Sequence, residues 1–189
     1  MNTHHPRFVI AVVLATQIVT LNALAQTPMK LLGIPFGEKL ALAQCPANTA
    51  KAKSPCWIDR PFLYKPTGSK SGYVHLPNAE ERPEWAAHAM FEITQDKDGR
   101  VQELKVNTFS SDDRILVSES ISKRFGKPFQ NELRRSDVSW AYWRSAEGYV
   151  EMRCKDECWT EFRTPSAQAA REAELAERTR VNAARPKAP

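Results

Sequence analysis

Residues 148–164 read GYVEMRCKDECWTEFRT, and the way this stretch folds on itself sets the architecture of the chain. With Lys155-Asp156-Glu157 at the tip of a hairpin, Cys154 faces Cys158, Met152 faces Thr160 and Val150 faces Phe162. All six side chains then share one side, because side chains alternate along a strand and pair across it. Directly opposed strand residues also supply the Cα separation of about 4.4–6.8 Å that a disulfide needs. The segment VSWAYWR (138–144) joins this hairpin through the short SAEG turn, which sets Trp143 against Val150 and Ala141 against Met152. The disulfide side is therefore the core side. The opposite face collects Trp140, Tyr142, Tyr149, Arg153, Trp159 and Arg163, with Glu151 and Glu161 among them.

Upstream, AHAMFEIT (87–94) alternates, with Ala87, Ala89, Phe91 and Ile93 in one phase. The Asp98-Gly99 step then predicts a hairpin turn into VQELKVNTF (101–109), since glycine supplies the positive φ such turns require. Val101 is out of phase with Leu104 and Val106, which either a bulge near the turn or packing of Val101 on the other face explains. A calcium-loop reading of DKDG fails: counting from Asp96, the twelfth position is Asn107, which has no bidentate carboxylate to offer. The next segment predicts a helix over 112–125. Asp112 and Asp113 suit its positive end, Leu116, Val117, Ile121 and Phe125 form an apolar stripe, and Gly126 with Pro128 stops it. The expected fold is thus α+β, a mostly antiparallel sheet with one main helix. Its order is β-β-α-β-β-β after an irregular N-terminal third.

The ends are different in kind. Residues 1–25 read as a signal peptide: Arg7, an apolar run from Phe8, then Ala23-Leu24-Ala25, with cleavage expected before Gln26. An uncleaved anchor is the competing reading, but Thr16, Gln17, Thr20 and Asn22 dilute the run. No stable membrane anchor is expected after cleavage, and the location is periplasmic or secreted. Residues 165–189 favour helix after the Thr164 cap and Pro165, yet Leu175 and Val181 are their only large apolar side chains. Such a helix buries little and is expected to be a charged, solvated tail, helical or disordered. A single domain of residues 26–164 remains. Losing Arg7 leaves 26 basic against 22 acidic residues, a mild excess without the clustered run of a nucleic-acid binder.

Four cysteines permit three pairings, and the local one, Cys45–Cys56 with Cys154–Cys158, is favoured by the hairpin register. Export makes disulfides the expected state. A zinc site would need its second half from the other pair or from His75 and His88, and neither pair has C-x-x-C redox spacing. No metal, cofactor or catalytic residue is predicted. Glu80, Glu81 and Glu84 sit in a Pro-flanked connection, and GIPFG (33–37) lacks the G-K-[ST] ending of a phosphate loop.

The aromatic face admits two readings. Trp, Tyr and Arg dominate binding hot spots, so it fits a glycan strand, a peptide or a protein partner. Alternatively it is a second, minor core covered by residues 26–64. Arg153 lies across from both Trp140 and Trp159, in reach of cation–π contacts worth about 0.5–2 kcal/mol.

With GIPFGEKLALAQCP, DGRVQELKV and SKRFGKP identified, the chain resembles small exported bacterial proteins of uncharacterised function. In these, a Gly-Ile-x-Phe-Gly segment leads to Cys-Pro, and a later helix ends in Phe-Gly-x-Pro. The resemblance spans roughly residues 30–164. It implies a periplasmic location and a sheet-plus-helix domain, and it carries over no catalytic residues. The functional expectation is a non-catalytic binding or accessory module with a protein or cell-envelope partner. Alternatives are a secreted inhibitor of a cell-wall enzyme and a carboxylate-based hydrolase.

Overall fold

A computed structural model describes residues 29–77, 82–134 and 138–184. The expected leader with its cleavage point, and Glu80 and Glu81, lie outside the described residues. The chain begins with short strands: β1 (Lys30–Leu31), β2 (Ile34–Pro35), β3 (Ala43–Gln44), β4 (Cys56–Trp57) and β5 (Phe62–Tyr64). Longer elements follow: β6 (Ser69–His75), β7 (Met90–Gln95), β8 (Val101–Asn107), α1 (Arg114–Phe125), β9 (Gln130–Glu132), β10 (Ser139–Arg144), β11 (Tyr149–Cys154), β12 (Cys158–Arg163) and α2 (Pro165–Ala183). The class is α+β with a mostly antiparallel sheet, as the sequence predicts. β1 and β2 form their own hairpin, and ten strands form one sheet in the order β3-β4-β6-β7-β8-β12-β11-β10-β9, with β5 beside β6.

The meander β10-β11-β12 has the expected register: Ala141 opposes Met152, Trp143 opposes Val150, Val150 opposes Phe162, and Cys154 opposes Cys158. Both local disulfides are present, Cys45–Cys56 with Cα atoms 5.0 Å apart and Cys154–Cys158 with Cα atoms 4.0 Å apart. β12 then pairs with β8, so Phe162 lies beside Leu104 and Thr160 beside Val106. α1 packs on this side. Val117, Ile121 and Phe125 are buried, Phe125 meets the Phe162 ring at 6.2 Å, and Trp143 Nε1 donates to Ser122 Oγ at 3.1 Å. Each such buried side chain contributes about 1.5–3 kcal/mol relative to exposure.

Several details differ from expectation. The N-terminal third is built of strands of two or three residues, three of which (β3 to β5) join the main sheet at its β6 end. Two-residue strands carry no alternation to read, and β6 has Gly72 at its centre. The polar triplet β9 is an additional edge strand paired to β10. Leu116 is 57% exposed, because it falls off the line through Val117, Ile121 and Phe125. β7 begins only at Met90, leaving His88 exposed ahead of it. The irregularity near Val101 is a register shift at Thr94/Gln95, which buries Val101 completely.

The N-terminal segment covers the same face as α1. Leu32 and Gly33, both at positive φ, turn β1 into β2, and Met29, Ile34 and Phe36 are buried in the common core. Arg124, near the end of α1, donates to the Lys30 carbonyl at 2.5 Å and pairs with Glu147 at 2.9 Å, locking the hairpin down. Gly37 N–H donates to the Val101 carbonyl at 2.7 Å. GIPFG is therefore a turn and a sheet contact.

One close approach lies where β11 starts. A Cβ on Gly148 would stand 2.4 Å from the Arg163 carbonyl oxygen and 3.3 Å from Met29 Cε. The first neighbour is backbone and cannot swing away, so Gly148→Ala must part β11 from β12. The expected cost is about 1–3 kcal/mol, seen as a lowered urea midpoint; an unchanged midpoint contradicts this packing.

Candidate functional site

The meander's other face is the outer face of the sheet, and its cross-strand rows follow from the register. One row runs Trp140, Arg153, Trp159, Asn107 and Met90; the next runs Tyr142, Glu151, Glu161, Lys105, Glu92 and Tyr73. The third brings Arg144, Tyr149, Arg163 and Glu103 together. The structure therefore places all six predicted face residues on one surface, then divides them.

Tyr149 and Arg163 are buried, Arg163 with only 1% of its surface exposed. Its guanidinium meets Glu103 at 3.1 Å and Glu151 at 3.0 Å, and it also pairs with Glu161. It lies 5.9 Å from the Tyr149 ring centre, and Nη1 donates to Gln168 Oε1 at 3.2 Å. Gln168 belongs to α2, whose start is fixed by Thr164: the Thr164 hydroxyl oxygen accepts from Ala167 N–H at 3.1 Å. Arg171 reaches Glu161 at 3.5 Å and Glu172 reaches Arg144 at 3.6 Å. The expected cover, residues 26–64, is not what lies there: Met29, Ile34, Phe36 and Trp57 are buried in the core that α1 shares, while Ile58, Phe62, Leu63 and Tyr64 are exposed. What covers part of the outer face is the beginning of α2, through charges and amides. Over Pro165–Ala183 the tail is thus a regular helix whose first turns are docked, and no side chain in that helix is buried.

Arg153 remains open to solvent, with 64% of its side chain exposed, and Trp140, Tyr142 and Trp159 beside it are half-buried. They are nonetheless held. Arg153 Nε donates to Glu151 at 2.5 Å and Nη2 to the Tyr142 hydroxyl at 3.0 Å. This differs from the expected cation–π geometry: a charged acceptor draws the guanidinium along the strand, away from the Trp rings. The cation–π contacts on this face are those of Arg144 with Phe129 and Tyr149, and of Arg163 with Tyr149. Trp159 Nε1 donates to Glu157 at 2.7 Å, and Asn107 Nδ2 holds the other oxygen of that carboxylate at 2.9 Å. Trp140 packs on Tyr142 with ring centres 5.2 Å apart.

Arg153 and Trp159 form the wall between two concavities. One, of about 270 Å³, is polar and is completed by Glu151, Glu161 and Arg171. The other, of about 510 Å³, lies at the hairpin tip against Phe109, Val138 and the Cys154–Cys158 disulfide. A guanidinium has five N–H donors, and Glu151 and Tyr142 engage two of them. The geometry suits a ligand that offers acceptors to Arg153 and a flat or apolar group to Trp159.

Sequence reasoning missed Phe129, Glu103 and Lys105. Phe129 rings lie 6.2 Å from both Tyr142 and Tyr149. Its only sequence signal is the position after the FG-x-P helix stop. Lys105 pairs with Glu103 at 3.4 Å, and both stand in the polar phase of β8.

Glu151 and Glu161 are direct cross-strand partners, the pair of carboxylates from which a hydrolase would have to be built here. Burial alone would raise the Glu151 pKa, but hydrogen bonds and charge from Arg153 and Arg163 outweigh it and hold the group below the ordinary carboxylate value. A group so placed stays ionised, which suits a structural anion and not the proton donor of that chemistry. His75 lines a separate pocket of about 390 Å³ with Asp59 and Arg82, whose lining includes no Ser, Thr or Cys. Among the described residues no group of three His, Cys, Asp or Glu is arranged to hold a metal ion. No helix among them is long and apolar enough to cross a membrane.

Comparison with protein-family models returns no match, and comparisons with curated proteins and with solved structures return none of significance.

The depressed pKa of Glu151 has a consequence for stability. The carboxylate favours the fold above the unfolded value of about 4.3, and this contribution is lost as pH falls through the lower folded value. Urea titrations between neutral and acidic pH should show wild type losing stability more steeply below about pH 4 than Glu151→Gln. Parallel acid limbs contradict the assignment.

Proposed function

We propose that the chain is an exported, non-catalytic accessory module that binds a cell-envelope partner with the open part of its outer sheet face. The observation that carries this reading is the state of Arg153 and Trp159. Arg153 is exposed and Trp159 half-buried, both are fixed by side-chain hydrogen bonds, and together they separate two concavities. Side chains immobilised before binding lose little entropy on contact, which is what makes such an Arg–Trp pair an effective anchor. Trp140 and Tyr142 extend the contact surface on the β10 side. Export is supported by the signal-type sequence at residues 1–25 and by the two disulfides, which persist in oxidising compartments.

The test begins with crosslinking of the wild-type protein in its own compartment, followed by purification of the captured partner and an affinity measurement. Arg153→Ala and Trp159→Ala should each weaken binding by about thirty-fold, the effect of losing a hot-spot residue worth about 2 kcal/mol. The Trp159→Ala urea midpoint should stay close to wild type, while Arg153→Ala, which leaves Glu151 to Arg163 alone, should show a modest fall. Unchanged partner affinity with a clearly lowered midpoint would instead make the face a structural element.

A further inference from the structure

A second surface, apart from the Arg153–Trp159 pair and its concavities, is built around the β5–β6 hairpin. Its turn is closed by Gly68 N–H donating to the Tyr64 carbonyl at 2.8 Å. β5 pairs with β6, and the described residues place no strand on its other side. An edge strand ordinarily buries alternate side chains and shows polar ones to water. Here three consecutive apolar residues are exposed, Phe62 by 69%, Leu63 by 50% and Tyr64 by 51%, and Ile58 just upstream by 44%. Because successive side chains point to opposite sides, the strand is apolar toward solvent on both faces.

The charge around it is one-sided. Residues 50–75 carry Lys51, Lys53, Arg60, Lys65 and Lys70 against a single acid, Asp59. That excess equals the excess of the whole chain after leader removal. All five cations are exposed. Among the described residues none of the five is in an ion pair, whereas the outer-face carboxylates are tied to Arg153, Arg163, Arg171 and Lys105. The neighbouring turn brings Asp96 and Asp98 together with Lys97. Asp96 there is occupied in accepting from Asp98 N–H, Arg100 N–H and Gln102.

A groove on a protein covers one face of a strand, and strand addition covers its edge. A bilayer interface accommodates both faces at once, with aromatic and aliphatic groups at the headgroup–acyl boundary and lysines spread over the headgroups. We propose that the β5–β6 hairpin is a peripheral membrane-binding edge for anionic phospholipid. Phe62, Leu63 and Tyr64 enter the interface, and the cations of residues 51–70 meet the headgroup phosphates.

The test uses the chain recovered from its export compartment and co-sedimentation with vesicles of phosphatidylcholine alone or mixed with phosphatidylglycerol. Wild type should bind the mixed vesicles, lose binding as salt is raised, and bind phosphatidylcholine poorly. Each neutralised cation should weaken binding about five-fold, so Arg60→Gln/Lys65→Gln/Lys70→Gln together about a hundred-fold. Phe62→Ser/Leu63→Ser/Tyr64→Ser should weaken it comparably while leaving the urea midpoint near wild type, since these side chains bury little. Absence of binding to the anionic vesicles overturns the proposal. So does binding indifferent to salt and to both variants, which would trace to the apolar residues 8–25. A lipid-independent dimer abolished by the Phe62/Leu63/Tyr64 variant, without vesicle binding, assigns the edge to a second copy and likewise overturns it.

Discussion

Arg163 is a cation with almost no access to water, and the outer half of the molecule is arranged around that fact. Removing a guanidinium from water costs several kcal/mol, a cost recovered only if opposite charges and hydrogen-bond acceptors surround it. Glu103 from β8, Glu151 from β11 and Glu161 from β12 itself supply the charges, and Gln168 from α2 adds a neutral acceptor. Four elements are thereby held in register by one side chain. The same network explains why α2 leaves β12 at Thr164 and lies across the sheet. It also explains why a helix with no buried side chain is docked at all.

The charge arrangement has a further effect on the face beyond α2. Glu151 is shared between the buried Arg163 and the exposed Arg153, so the rigidity of the interior network is passed outward. Arg153 in turn orders the Tyr142 hydroxyl, and Glu157 orders Trp159 from the hairpin tip that the Cys154–Cys158 disulfide pins. A partly exposed group of long side chains is therefore preorganised without being fully covered. The opposite end of the sheet follows another logic. There, among the described residues, the cations lack carboxylate partners, and the apolar side chains of β5 are half or more exposed.

The meander and α1 were legible in the sequence because each has one buried side with a clear period. Val150, Met152 and Phe162 alternate, and Val117, Ile121 and Phe125 recur every four residues. The short strands at residues 43–57 were not legible, since two residues cannot show a period and their places are set by pairing with each other and with β6. The outer face was legible as a set of residues but not in its division. Arg163 reads in sequence like Arg153, one more basic residue on an aromatic strand face. What separates them is Glu103, sixty positions away, and a tail helix whose polar residues give no sign of burial partners. Hydrophobic patterning reports apolar cores well; it is silent about interiors built from ion pairs.

The central claim is that one side of the meander is interior while Trp140 and Trp159, on the other side, are only half-buried and keep a solvent-accessible surface. Hydroxyl-radical footprinting of the folded protein, read by peptide mass spectrometry, measures this directly at the tryptophans. Trp140 and Trp159 should be oxidised readily, while Trp143 and Trp57, both buried, stay protected until the protein unfolds. Protection of Trp140 and Trp159 to the same degree as Trp143 would mean that the face is covered, and would contradict the account.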